Sequence, residues 1–532
     1  MYEHKKSLLQ ENFKKGLENL KKNNFSESEK FFKKIIKIYP NEMDSIFYLG
    51  IISFKKNEYK RSIDYLKKVI EKNYNHRQSN LFIGLSYYKI RDYNKAKFFF
   101  EKIYKTNEKD FQIIINLSLT LIELKEYVNA ENILKNAINL NPKHPDTLIC
   151  LGDLYLKKGN TDEAIKYYLK FVEINQDNPI IYSNLGTAYL RKTDFISSKD
   201  NSDFISSKDN FEKALKISPN NSIALHAFSY LLLSNCEIEK GLDAYENRKF
   251  AIKNEYEFKT IGNEWEGENL DNKTILILSE QGIGDIIQFS RYIYFIKEKY
   301  SVNIIFKLDK SLINLFNQDK FKIISKEDEI PEYDYFQYLM SLPRIIYKTD
   351  KKFVKNINFI RTNTKKKNFW AQKLSYLKGA KIGLNWQGNP NNPIDYKRSI
   401  PLSYFEKFFE IDNLNFISLQ KGAGVNQIKD FKYKNKLLNF SNKTFETFED
   451  TIAIIENLDL VITTDTSIVH LASTMEKDTW LILGFSPGWR WDIHSKMFKW
   501  YKNLKIYNQK KINNWDPVIN SINQNLRDLF NK

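Results

Sequence analysis

The sequence predicts an α plus α/β chain: a helical repeat superhelix in the first half, then two doubly wound parallel α/β domains. Three observations lead there. Small and bulky residues return every 34 positions through residues 9–255. Beyond Lys273 that return gives way to short β-rich runs separated by helical stretches. The 532 residues are 42% apolar and 15% aromatic with only 18 glycines and 12 prolines, which supports several ordered cores rather than a disordered chain.

In the first half, Pro40, Tyr74, Glu108, Pro142 and Gln176 fall in register. Gly16, Gly50, Gly84, Ser118 and Gly152 stand 24 positions before them, with Gly186 continuing the series, and Ser28, Ser62, Ala96, Ala130 and Ala164 stand 12 before. Phe32, Leu66, Phe100, Leu134 and Tyr168 follow that second series by four. Antiparallel helices approach closely only where small side chains face each other, and bulky neighbours then fill the groove between pairs. An ordinary amphipathic bundle would show the 3.6-residue period without the fixed 34-residue return. The pattern resembles the tetratricopeptide repeat. One repeat breaks step, because "DFISSKDNS" (194–202) is followed by "DFISSKDNF" (203–211), a tandem nine-residue duplication. Without the extra copy, Ser207 and Phe211 take the small and bulky positions, and Ser229, Gly241 and Tyr245 complete a seventh repeat. Nine helical residues at about 100° each would turn a face by half a turn, so the extra copy belongs in a loop or an overhanging helix end. Such an array is either a concave docking surface for a protein or glycan acceptor or a structural spacer.

The formal net charge of +18 raises nucleic acid as a partner, but the lysines are spread along the chain. The Lys365–Lys367 cluster reads as solvated linker, and no nucleic-acid-binding signature accompanies the charge, so nucleic acid is not expected. The two cysteines, Cys150 and Cys236, have no partner at metal-ligand spacing, which fits a reducing cytoplasm. The start lacks the apolar stretch of a signal peptide, and no run of about 18 apolar residues occurs; a cytoplasmic chain without a transmembrane segment is expected.

After a linker at 256–272, "TILIL", "NIIFKL", "FKIIS" and "NINFI" are strand candidates of a first domain, 273–362. A lysine-rich connector, 363–380, leads to a second domain, 381–532, with "KIGLNW", "NFISLQ", "LDLVITT", "TWLILGF" and "LKIYN" as strands and "PLSYFEKFFEI" and "FEDTIAIIENL" as helices. Ligands of such sheets bind at the carboxyl ends of strands, which places the chemistry in the cleft between the domains.

Four loops there carry chemistry-bearing residues. "TILILSEQGIGDIIQF" fails as a dinucleotide fingerprint, because Ile287 stands at the third glycine position. Its Asp285 is either an N-cap or a ligand-contacting acid, and Ile286, Phe289, Ile293 and Ile296 form the buried face of the following helix. "NWQGNPNNPIDYKRSIPL" brings Gly388, Asn389, Asp395, Lys397, Arg398 and Ser399 into one loop that either holds an anion or is surface decoration. "ITTDTSIVHLAS" sets Asp465, Thr466 and Ser467 at an amide-rich helix start, with His470 beyond as a core residue or a ligand contact. The segment 484–509 gathers Trp489, Arg490, Trp491, His494, Trp500 and Tyr501, either to stack on a base or sugar or to form an interdomain seam.

"EQGIGDIIQFSRY", "SLP", "GLNWQGNP…RSIPL", "FISLQKGAG", "DTIAIIENLDLVITTDTSIVHLAS" and "PGWRW" stand in the order seen in bacterial tetratricopeptide-repeat glycosyltransferases with a heptosyltransferase-like (glycosyltransferase family 9-like) catalytic part. The resemblance implies a GT-B fold of two Rossmann-like domains, acceptor on the first and nucleotide sugar on the second, with no cofactor and no obligatory metal. Asp285 would be the base, and Gln281, Gly282, Gly284, Gln288 and Arg291 would form the acceptor side. Asp465, Thr466, Ser467, His470, Gly388, Asn389 and Lys421 would face the donor, Lys397 and Arg398 would meet its diphosphate, and Trp489 and Arg490 would stack. Asn391 or Asn392 replaces a family histidine, Lys477 and Asp478 a glycine-proline pair, and Gly488 an acid. The alternative is a non-enzymatic repeat scaffold whose second half binds a nucleotide sugar or nothing.

Overall fold

Within the repeats, the small residues sit directly against the bulky ones. A Cβ added at Gly16, Gly50, Gly84 or Gly152 would lie 2.8, 2.5, 2.6 or 2.2 Å from Phe32, Leu66, Phe100 or Tyr168 respectively, so only glycine lets these helix pairs close. The second small residue adds a bond, since the Ser28 and Ser62 hydroxyls donate to the Gly16 and Gly50 carbonyls at 2.7 and 2.8 Å. Phe32, Leu66, Phe100 and Tyr168 are wholly buried, each contributing about 1.5–3 kcal/mol.

The computed structural model describes residues 2–193, 202–251, 262–316, 319–355, 357–360, 362–392, 395–440, 447–485, 487–491, 500–511 and 514–530. It divides into two compact units, Met1–Ala188 and Tyr189–Lys532. The first unit is helical throughout, in consecutive pairs from Tyr2–Lys21 and Phe25–Ile38 to Pro145–Lys158 and Thr161–Val172. Its division from the second unit falls inside helix Pro179–Lys192, so the last repeat helices, Ser202–Ile217, Ser222–Ser234 and Ile238–Tyr245, belong to the second unit. The second copy of the duplication opens the first of these and buries Ser207 and Phe211 as expected; residues 194–201 of the first copy lie outside the described residues.

The second unit holds two parallel sheets. The first comprises β1 (Asn263–Glu264), β2 (Thr274–Leu278), β3 (Asn303–Leu308), β4 (Lys322–Ser325) and β5 (Tyr335–Tyr338) in the order β1-β5-β2-β3-β4. The second comprises β6 (Ala380–Asn385), β7 (Leu414–Ser418), β8 (Leu437–Leu438), β9 (Leu460–Thr464), β10 (Thr479–Leu483) and β11 (Leu504–Asn508) in the order β11-β10-β9-β6-β7-β8. All pairings are parallel, so both faces need cover, and β2, β9 and β10 are accordingly buried along their length, apart from the half-buried Thr274 that opens β2. One core joins Leu233, Leu242 and Tyr245 of the repeat helices to Ile275 and Ile277 of β2, Val461 of β9 and Trp489.

Several expectations are corrected. "NINFI" forms no strand among its described residues; "YFQY" (Tyr335–Tyr338) takes the place beside β2, its buried Gln337 satisfied by donating to the Trp265 carbonyl at 2.8 Å. "PLSYFEKFFEI" is a 3₁₀ helix, Leu402–Glu410. The lysine cluster of the connector is not solvated linker: it opens helix Thr364–Leu374, where Lys366 pairs with Asp450 at 3.0 Å and Lys367 with Glu456. No helix among the described residues is long and apolar enough to cross a membrane.

Candidate functional site

In each sheet the chain winds outward in both directions from a central strand, β2 in the first and β6 in the second. The loops at the carboxyl ends of such strands part and leave a crevice. Both crevices open on one cleft of about 810 Å³, a size that suits a nucleotide-sized ligand. Gln281, Gly282, Gly284 and Asp285 line it from the first sheet. Gly388, Asn389, Arg398, Lys421, Asp465, Thr466, Ser467, His470 and Arg490 line it from the second. The two walls touch at their helix starts: a Cβ on Gly284 would lie 2.9 Å from the His470 ring and 3.6 Å from the Ser467 Cα.

The first wall is a tight turn from β2 into helix Ile283–Phe289. Gly282 is the N-cap, and Asp285, three residues on, accepts from its amide at 3.2 Å, so the acid occupies the third helical position and not the cap itself. Gln281 is held at φ 62, a left-handed conformation that costs a non-glycine residue roughly 1 kcal/mol. The end of the last repeat helix and the short helix Arg248–Ala251 after it hold that turn. Gln281 donates to the Tyr245 hydroxyl at 2.8 Å, and Arg248, fully buried, grips Glu280 through two bonds of 2.7 and 3.0 Å. The same guanidinium reaches Glu246 and Ser341 at 2.7 Å each, while Glu280 also accepts from the Met340 amide at 2.9 Å. Burial opposes the charge on Arg248, but Glu280 and Glu246 outweigh it and hold the group well above its ordinary value.

The second wall is built from strand-end amides. Asn385, ending β6, accepts from the Thr466 hydroxyl at 2.8 Å and the Thr463 hydroxyl at 3.1 Å, and donates to Gln420 at 2.9 Å. Gln420 also accepts from the amides of Trp386 and Gln387, and so ties the loops after β6 and β7 together. Thr466 caps helix Ser467–Thr474. Next to it Gly388 is packed so closely that a Cβ would lie 2.3 Å from Asp395 and 2.8 Å from Arg398. Asp395 accepts from Arg398 Nε at 3.0 Å, and Arg398 Nη1 donates to the Asp465 carbonyl at 2.9 Å.

Charge is concentrated between the walls. Arg490 Nη1 lies 3.1 Å from Asp285 Oδ1, with both side chains partly open to the cleft. Burial works against the charge of Arg490, and Asp285 first among its neighbours restores it, leaving the group raised. Burial pushes the Asp465 carboxyl up, against the pull of Arg490 and Arg398. His470 is driven well below its usual range, by burial first and then by Arg490, Arg291 and Arg398, so its ring is neutral near pH 7. Its Nδ1 lies 2.9 Å from the Tyr501 hydroxyl, and the ring stacks on Trp491.

Four predicted residues do not line the cleft. The Lys397 ammonium turns to the Arg191 carbonyl at 3.5 Å, and burial, aided by Arg191, lowers it to about 7. Gln288 and Arg291 lie on the inward face of their helices, fully buried; Arg291 donates to the Gln288 and Trp500 carbonyls at 2.6 and 2.8 Å and lies over the Tyr501 ring. Trp489 is buried away from the cleft, and the Arg490 guanidinium lies over its ring at 5.9 Å while pairing with Asp285, so the two stack on each other rather than on an open face. Trp491, Trp500 and Tyr501 are buried as a seam; His494 lies outside the described residues. Asn385, Gln420, Glu280, Arg248 and Tyr245 carry the site without having been assigned roles. A polar residue closing an apolar run was the available signal for the first two; Tyr245 carries only the repeat pattern, and Arg248 carries no signal.

Comparisons with known proteins bear on the repeats. The family "TPR repeat" matches residues 152–192, "Tetratricopeptide repeat" matches 12–42, and "Anaphase-promoting complex, cyclosome, subunit 3" matches 90–171. Protein FlbA of Caulobacter vibrioides is 21% identical over 428 residues, covering 69% of this chain and 70% of that protein. A tetratricopeptide repeat protein from Parabacteroides merdae is 14% identical, covers 46% of this chain and 93% of its own, and superposes with a TM-score of 0.42. A thermophilic TPR protein of Thermus thermophilus is 17% identical over 36% of this chain and 99% of its own, with a TM-score of 0.31. The helical repeats are tetratricopeptide repeats, followed in the chain by a region of parallel sheets.

Proposed function

We propose that the second unit is an inverting glycosyltransferase of GT-B type that moves a sugar from a nucleotide-sugar donor to an acceptor hydroxyl. The observation that carries this reading is the contact between the two helix starts, Gly284 against His470, which sets Asp285 and the Thr466 cap on one cleft. In the transfer, the acceptor O–H gives its proton to Asp285 as its oxygen bonds to the anomeric carbon and the bond from that carbon to the diphosphate oxygen breaks. The leaving diphosphate gathers charge where Arg398, Arg490 and the amides at the start of helix Ser467–Thr474 converge. The neutral His470 ring serves as a hydrogen-bonding group and not as a cation. The tetratricopeptide repeats supply the docking surface for a protein or glycan acceptor.

A second reading, a repeat scaffold whose sheets bind a nucleotide sugar without turning it over, is favoured by the ion pair that occupies Asp285. Calorimetry with a panel of nucleotide sugars, followed by donor hydrolysis assays, separates the two. A transferase binds one donor and hydrolyses it slowly, and Asp285→Asn lowers that rate by about 10²–10⁴ while retaining binding. Binding with no turnover in either form supports the scaffold, and no binding to any donor removes both roles for the cleft.

A further inference from the structure

The pairing of Arg490 with Asp285 is out of place for a resting base. A carboxylate that is to accept a proton from an acceptor hydroxyl needs an oxygen turned to the cleft, yet Asp285 Oδ1 faces Arg490 at 3.1 Å and Oδ2 accepts from the Gly282 amide at 3.2 Å. Arg490 for its part is one of two guanidinium groups on the cleft among the described residues, and the two are held differently. Arg398 is anchored on its own side of the cleft, by Asp395 of its own loop at 3.0 Å and by the Asp465 carbonyl after β9 at 2.9 Å. Arg490 makes its ion pair across the cleft, with a residue of the opposite sheet. The Asp465 side chain, whose carboxyl burial pushes up, is also close enough to both arginines for each to act on it. A diphosphate placed at the start of helix Ser467–Thr474 would therefore meet one fixed guanidinium and one that can change partner.

Resting on the transferase reading above, we infer that Arg490 is a latch with two partners: it holds Asp285 in the donor-free protein and moves to the donor diphosphate on binding, which frees the acid to take the acceptor proton. Both contacts are charge-assisted, but the diphosphate of a nucleotide sugar carries two negative charges against the single one of Asp285, so it draws the guanidinium more strongly. The exchange makes donor binding a precondition for an active base. Donor is then protected from a base acting on water before it is seated, because an unseated donor leaves Asp285 occupied.

The latch has a signature in binding that a passive ion pair lacks. Because the donor has to take Arg490 from Asp285, Asp285→Asn removes a competitor and tightens nucleoside diphosphate binding. Titration calorimetry of the full chain with ADP, CDP, GDP, UDP and dTDP identifies which of them binds, and the variants are then compared with that one. Arg490→Gln should weaken it by roughly ten- to a hundredfold, the loss of one charge-assisted contact. Asp285→Asn should tighten it by about fivefold, the release of a partly exposed pair. In Arg490→Gln/Asp285→Asn the tightening should shrink to under half, since only the general removal of a negative charge remains. Equal tightening with and without Arg490, or none in Asp285→Asn, overturns the latch while leaving the transferase reading intact. Failure of every diphosphate to bind either wild type or Asp285→Asn overturns both. If Arg490→Gln does not fold, Asp285→Asn alone decides: an unchanged or weaker affinity overturns the latch.

Discussion

After β2 the chain turns through Gln281 and Gly282 into helix Ile283–Phe289; after β9 it turns through Asp465 and Thr466 into helix Ser467–Thr474. Both turns end a central or near-central parallel strand and present an acid beside helix amides. They are supported in different ways. The second turn is held by its own domain: Thr466 supplies the cap, and Asn385 and Gln420 bind it to the neighbouring strand ends. The first has no side-chain cap at Gly282 and a strained Gln281, and it takes its support from Tyr245, which ends the last repeat helix, and from Arg248 just beyond it. The difference teaches that the end of the repeats is part of the framework of the cleft, so damage there should reach the first turn and spare the second.

The strongest way to break that comparison is Arg248→Met. It leaves Glu280 buried without the Arg248 cation, while the half-buried Glu246 keeps Lys249, and removal of one member of a buried ionic network costs about 3–5 kcal/mol. Urea unfolding of the second unit should show the loss, and Glu280→Gln in the same background should recover part of it. An effect under 1 kcal/mol would mean that the network does not support the turn. A smaller effect is expected on the other side. Thr466→Ala removes a cap hydroxyl and its bond to Asn385, which should cost about 1 kcal/mol in the same experiment.

Acid gives the finest distinction. His226, on the repeat helix beside Tyr230 and Tyr245, is lowered to about 4, by burial first and then by Arg248. The unfolded imidazole takes up its proton near pH 6.5. Between that pH and about 4 the unfolded chain binds more protons than the folded one, so stability is full above pH 6.5 and falls as pH drops through this window. His470 acts in the same direction at the second turn. His226→Gln should flatten part of the acid-side slope in unfolding free energy measured from pH 7 to pH 4.5, and an unchanged slope would show that His226 is not buried neutral.

The asymmetry also explains what could be read from residues alone. Asp285 and Asp465 were legible because each closes an apolar run and opens a helix, and topology then fixes where such turns lie. The 34-residue return was legible because glycine and bulky side chains must meet at fixed spacing, as at Gly152 and Tyr168. Lys397 and Arg398 were not separable: in a tight turn adjacent cations point in different directions, and only Arg398 reaches the cleft. Gln288 and Arg291 look like surface residues by type, yet Arg291 is buried with its charge set over Trp500 and Tyr501, contacts more than 200 positions away in sequence. Tyr245 carried only the signature of a repeat and Arg248 none, and their task at the cleft is set by the fold of residues 262 onward.

The account stands on the two turns sharing one ligand. Hydrogen exchange read by mass spectrometry, with and without a saturating nucleoside diphosphate or nucleotide sugar identified by calorimetry, tests this directly. Slowed exchange in both 281–286 and 465–470 is the predicted result; slowing confined to one of these segments, or absent from both while the ligand is bound, would contradict it.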